Sequence, residues 1–163
     1  MPTAAARGAA AGAVGVLAMD VATWAMFRRE SSRDLLREKR ARVFGKDTAH
    51  AVVRQVTRAV GSDAGSDEPN GAGIAVHYRL GMGPGAVYAV QRRRWVRTGG
   101  GALYGLLLFV VDDELAAPLL HLAGAPNAYP LIAHVRGLVG HVALGMVTEA
   151  TLRAMEDGPA PQP

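Results

Sequence analysis

Apolar and polar positions divide this chain into four apolar segments and one long polar stretch. The apolar segments run from Ala4 to Phe27, Gly71 to Val90, Gly99 to Leu122 and Tyr129 to Met155. Each is about 20 residues or longer, the length a helix needs to cross a bilayer core of roughly 30 Å. The polar stretch, Arg28 to Asn70, opens on the basic run RRESSRDLLREKRARVFGK. It continues as DTAHAVVRQVTRAVG, where Ala49, Val52, Val53, Val56 and Val60 share one helical face. That spacing predicts a short amphipathic helix at an interface or on the bundle. GSDAGSDEPNGAG reads as a flexible loop, and the tail EDGPAPQP as disordered. The later connections, QRRRWVR and AGAPNA, are short, with Trp95 as an interfacial anchor and Pro130 at a helix start.

The expected architecture is all-α: a polytopic membrane protein, with four transmembrane helices in an antiparallel bundle and an amphipathic helix in the first loop. One membrane domain covers residues 1–155, and 156–163 form the tail. A soluble bundle is the alternative. The first segment does not read as a signal peptide, because it stays apolar past Asp20 to Phe27 and no small-x-small cleavage site follows.

Helical spacing at 100° per residue sorts each segment into faces. Gly8, Gly12, Gly15 and Met19 form one stripe, and His77, Gly81, Pro84 and Tyr88 a second. Gly101, Gly105, Leu108 and Asp112 form a third, and His134, Gly137, His141, Gly145 and Thr148 a fourth. Glycines four apart let helix backbones approach closely, so Gly12, Gly15, Gly81, Gly105, Gly137 and Gly145 are expected at helix contacts. An ionisable residue on such a face points into the bundle. If the helices alternate in direction, with the chain starting on side A, then Asp20, His77, Asp112, Asp113, Glu114, His134 and His141 gather in the half toward side B. Arg7, Arg92 to Arg94, Glu149 and Arg153 form a charged rim on side A. Asp112 lies on the glycine face. Glu114 falls about 200° from it and is expected at the interface beside Pro118.

Composition agrees with close helix packing, since 20 of 163 residues are Gly and aromatics make up only 6%. A mean hydropathy of +0.12 is low for a polytopic membrane protein, and the basic stretch offsets the apolar segments. There is no Cys, which excludes disulfides, thiol nucleophiles and Cys-based metal sites. Net charge is +4, with ten of the eighteen Lys and Arg between Arg28 and Arg58. That run lacks aromatic interleaving and reads as a face for anionic lipid headgroups; no nucleic-acid partner is expected. The positive-inside count sets these ten on side B against six on side A, which favours a cytoplasmic side B, while the short RRRWVR loop argues the reverse.

No hydrolase elbow, phosphate loop or dinucleotide fingerprint is present, and the Glu-x-x-His pairs of di-iron bundles are absent. No enzyme activity, metal or cofactor is expected. The chemistry in reach is proton or cation handling by Asp20, His77, Asp112, Asp113, Glu114, His134, His141 and Glu149. Alternatively these groups only lock helix packing.

GALYG…VVDDELAAPLLHLAGAP…YPLIAHVRGLVGHVALGMVTE, with VHYRLGMGPGAVY before it, resembles the YagU-like family of small, largely uncharacterised bacterial inner-membrane proteins. The shared elements are a His-x-x-x-Gly start (His77, Gly81), an Asp-Glu-x-x-x-Pro end (Asp113, Glu114, Pro118) and a Gly-x-x-x-His-x-x-x-Gly core (Gly137, His141, Gly145). The likeness covers roughly residues 71 to 153. It implies a multi-pass inner-membrane protein with a link to acid tolerance, and a cytoplasmic N-terminus. The expected surroundings are the lipid bilayer and a partner that is a second copy or another membrane protein.

Overall fold

The computed structural model describes residues 3–63, 69–95 and 100–156, with backbone alone at 93–95. Among these residues the regular structure is helical and there is no strand. In chain order come α1 (Ala4–Phe27), α2 (Ser32–Ala41), α3 (Thr48–Ala59), α4 (Gly71–Trp95) and α5 (Gly100–Leu108). A π-helical segment (Phe109–Ala116), α6 (Ala117–Leu119) and α7 (Leu131–Glu156) follow. Polar residues set the helix starts. The side chains of Thr3, Ser31, Asp47 and Asn70 accept hydrogen bonds from Ala6, Asp34, His50 and Gly73 backbone N–H groups at 2.9–3.2 Å.

Small residues order the long helices. A Cβ on Gly12 would sit 2.5 Å from the Gly81 carbonyl oxygen, and one on Gly8 2.3 Å from that of Gly85. These pairings make α1 and α4 antiparallel. Gly15 meets Leu144 and Thr148, while Gly140 meets Met19 and Thr23, so α7 runs antiparallel along the other flank of α1. Gly101 and Gly105 lie against the backbone of Gly145 and His141, which seats α5 on α7. A stacked pair, Tyr88 on Tyr104 at 4.3 Å between ring centres, brings α4 to α5. Gly12, Gly15, Gly81, Gly105 and Gly145 stand where another helix leaves no room for a Cβ, while at Gly137 a Cβ would meet only the Phe109 and Asp113 side chains, at 3.0 and 3.2 Å.

By length and apolar composition two helices, α1 and α7, are sufficient to cross a membrane. The other two expected spans differ from that. α4 carries Arg79 and the Arg92–Arg94 cluster, and the third segment is divided by the π turn. Pro118 gives the physical reason for the π turn. It has no N–H for the Glu114 carbonyl, and its ring crowds that carbonyl in an α-helix. Widening relieves the clash, and the Ala117 N–H bonds the Asp112 carbonyl, five residues back.

The polar stretch is more ordered than its basic composition suggests. It contains α2 as well as the expected amphipathic helix α3. Ala49 and Val53 on α3 are buried as the spacing requires, together with His50 and Ala51. Val56 and Val60, expected on the same buried face, are 60% and 75% exposed. The first half of α3 docks through His50 against Gly73 on α4, and the second half extends beyond that contact. The flexible-loop reading falls partly on residues 64–68, the tail on 157–163, and the anchor on the Trp95 side chain; these lie outside the described residues.

Candidate functional site

One end of the bundle encloses a cavity of about 560 Å³. Asp20 on α1, His77 on α4, Asp112, Asp113 and Glu114 on the π segment, and His134 and His141 on α7 all line it. Glu149, also a sequence candidate, does not. The other lining is largely apolar and includes Val16, Leu108, Phe109 and Leu144. The α2–α3 region forms part of the wall through Glu38, Arg42, Asp47 and His50.

Four imidazoles of the lining meet carboxylates, and the first is local: His50 Nδ1 lies 2.8 Å from Asp47 Oδ2 at the start of α3. His77 Nε2 lies 2.8 Å from Asp20 Oδ1, joining α4 to α1. His134 Nδ1 lies 2.5 Å from Glu114 Oε1, and its Nε2 lies 2.9 Å from the Pro126 carbonyl oxygen. A carbonyl only accepts, so Nε2 carries a proton. The Glu114–His134 contact then holds one further proton, on either the imidazole or the carboxyl. His141 is 6% exposed; its Nδ1 donates to the Gly137 carbonyl at 2.9 Å, with Asp113 Oδ2 at 3.6 Å. Asp112 makes no hydrogen bond or ion pair among the described residues.

Two sequence expectations about the acids are corrected. At 100° per residue, seven positions return to nearly the same line, which places Asp112 under Gly105. π winding turns the chain less per residue, so the line is reached one residue later. Asp113 is accordingly the acid beside Gly137 and His141. Glu114 does not reach an interface beside Pro118; it is turned inward onto His134.

Glu149 belongs to a second cluster at the other end of the bundle. It is 5% exposed and accepts from Tyr88 Oη at 2.9 Å, Arg92 at 2.9 and 3.0 Å, and Arg153 at 2.7 Å. Arg92 also contacts Glu156. The expected charged rim takes the form, around Glu149, of an ion knot.

The third polar assembly was not legible as a site. Arg136, 9% exposed on α7, donates to Glu30 at 2.5 Å and Glu38 at 2.6 Å. Arg42 meets the same Glu38 oxygen at 2.6 Å. Burial pushes the Glu38 carboxyl up, but the hydrogen bonds from Arg136 and Arg42 outweigh it and hold the group below its ordinary range. At Asp47 burial likewise raises the carboxyl, and the His50 backbone and ring bonds bring it below its ordinary range. Arg37 adds bonds to the Ala128 and Asn127 carbonyls at 3.1 and 3.2 Å. The signal for this clasp in the sequence was an arginine inside an apolar segment; its partners, two acids within a basic run, were masked by their neighbours.

Among the described residues no three His, Asp or Glu side chains are placed to hold a metal ion. No family model, curated protein or solved structure matches the chain.

Proposed function

We propose that this chain is a four-span inner-membrane protein whose cavity binds or relays protons or a small cation, serving envelope or acid-stress homeostasis without enzyme chemistry. The observation that carries this reading is the gathering of six carboxylates and four imidazoles, from α1, α2, α4, α7, the π segment and the 47–50 start of α3, around one cavity. A carboxylate and an imidazole in contact can pass a proton between them with little rearrangement, and imidazole is the side chain whose ordinary charge change falls near neutral pH. The membrane setting has separate support. The apolar windows of α1 and α7 are only 22% and 33% buried, whereas the core helix of a soluble protein is mostly buried. Leu17, Val21 and Trp24 on α1, and Leu131 and Met146 on α7, are all more than half exposed. The YagU-like resemblance points the same way, toward the inner membrane and acid tolerance.

The test is proton and cation flux in liposomes, wild type against Asp113→Asn combined with His141→Ala. Flux above empty vesicles that falls in the variant is expected; equal flux above that background in the two proteins would refute the reading, as would a cavity that neither titrates nor conducts. A second reading, that the polar groups only fix helix packing or assembly, draws support from the Glu149 knot and the Arg136 clasp, both internally neutralised. On that reading Asp113→Asn leaves acid survival unchanged in a folded protein.

A further inference from the structure

We propose that the polar route does not stop at the cavity floor: it continues through the buried hydroxyls of Tyr104 and Thr148 to the Glu149 cluster, making the bundle a proton pathway from end to end. This rests on the proton-handling reading above and adds a direction and a second exit to it.

One core joins the cavity to the Glu149 cluster. Val16 and Leu144 line the cavity and also belong to the same buried core as Tyr88 and Tyr104. Within that core the Tyr88 hydroxyl donates to Glu149 at 2.9 Å. From Leu144 to Glu149 is about 7.5 Å along the α7 axis at roughly 1.5 Å per residue.

That core is not wholly apolar. Tyr104 is 8% exposed and Thr148 fully buried, yet neither hydroxyl has a hydrogen-bond partner among the described residues. Proteins rarely leave buried hydroxyls unsatisfied, because each one costs stability that Phe or Val would not. Such positions are where internal water is held. Both hydroxyls stand between the two clusters. The Tyr104 ring stacks on Tyr88 at 4.3 Å between centres. Along its own helix Tyr104 is about two turns from Asp112. Thr148 adjoins Glu149 in sequence and is about two turns from His141 on α7.

Proton balance along the route is simple. With water bridging the gaps, each hydroxyl oxygen accepts a proton from the cavity side and releases the one it carried toward Tyr88. Tyr88 repeats the exchange toward Glu149. Arg153, paired with Glu149, is more than half exposed, so the proton leaves Glu149 for the solvent at that end. No side chain has changed its charge when a cycle closes.

The experiment uses the full chain in vesicles, with an internal pH dye under an imposed potential, and compares wild type with Tyr104→Phe combined with Thr148→Val. Carboxyl infrared bands read cavity titration separately, and thermal melting reads folding. The expected result is at least a tenfold loss of flux, with cavity titration unchanged and melting unchanged or raised, since two unsatisfied hydroxyls have gone. Thr148→Ser, which keeps the hydroxyl, retains flux; a loss as large as in Thr148→Val would remove Thr148 from the route. Unchanged flux in the double variant overturns the proposal. So does a wild type whose cavity titrates without conducting, and that outcome leaves the cavity reading standing. A wild type that neither titrates nor conducts removes both.

Discussion

Arg136 carries two carboxylates, and the consequence of removing it follows from its burial. Arg136→Met leaves Glu30 and Glu38 buried beside one remaining cation, Arg42, and stranding buried charge costs about 3–5 kcal/mol. Chemical denaturation in detergent should show a loss of that size. Replacing the acids as well, with Glu30→Gln and Glu38→Gln, should recover much of it. Gly105 makes a steric prediction. A Cβ there would lie 2.1 Å from the His141 carbonyl oxygen, a backbone atom that cannot turn aside. Gly105→Ala should cost about 1–3 kcal/mol as α5 is pushed off α7, read as a lower melting temperature. The glycines were legible at this scale because four-residue spacing is a local property. Arg136 was not, because its partners lie 98 and 106 residues away.

At the scale of elements, the π turn decides which acids face inward. Pro118→Ala restores an N–H able to bond the Glu114 carbonyl and favours ordinary α winding. Glu114 should then rotate away from His134. A double-mutant cycle between Glu114→Gln and His134→Ala measures the change: their coupling should fall toward zero in the Pro118→Ala background. The α2–α3 region makes a pH prediction. The folded pKa of Glu38 is lowered, so its stabilising contribution is fully present above its ordinary value of 4.5 and is lost as pH falls through the lowered folded value. Hydrogen exchange of residues 32–59 should therefore quicken below pH 4.5, and Glu38→Gln should reduce that dependence to the part Asp47 contributes. Helix limits were readable from hydropathy, and α1 begins and ends where the pattern does. The π winding was not, because hydrophobic periodicity assumes one fixed turn angle.

For the whole molecule the clearest expectation concerns the bilayer. Leu17, Val21 and Trp24 of α1 are all more than half exposed, so Val21→Arg should weaken membrane insertion by about 2.5–3.5 kcal/mol at the helix centre, and less nearer an end. Glycosylation mapping reads this as a lower inserted fraction. The proposed arrangement of four alternating spans would place Ser62 and His121 on one face of the membrane and the N-terminus on the other. The structure is compatible with that arrangement: Arg37 reaches Asn127 and Ala128, and Gly124 packs against Ala41, so the first polar stretch and the 121–129 turn share one end. Site-directed labelling at positions 3, 62 and 121 checks it, and finding 62 and 121 on opposite faces would refute four alternating spans.

What the sequence determined by itself is what repeats locally: helical elements, the glycine faces on which they pack, and the end toward which Asp20, His77 and His134 fall. Turn angle and spacing suffice for these, because every helix repeats the same geometry. Only the tertiary structure decided that Asp113 rather than Asp112 meets His141, that Glu114 turns in to His134, and that Glu149 is closed by Tyr88, Arg92 and Arg153. It also decided that a basic run supplies two acids to Arg136. Each of these depends on a contact between distant segments or on a proline-driven change of winding, and electrostatic pairing is indifferent to sequence separation.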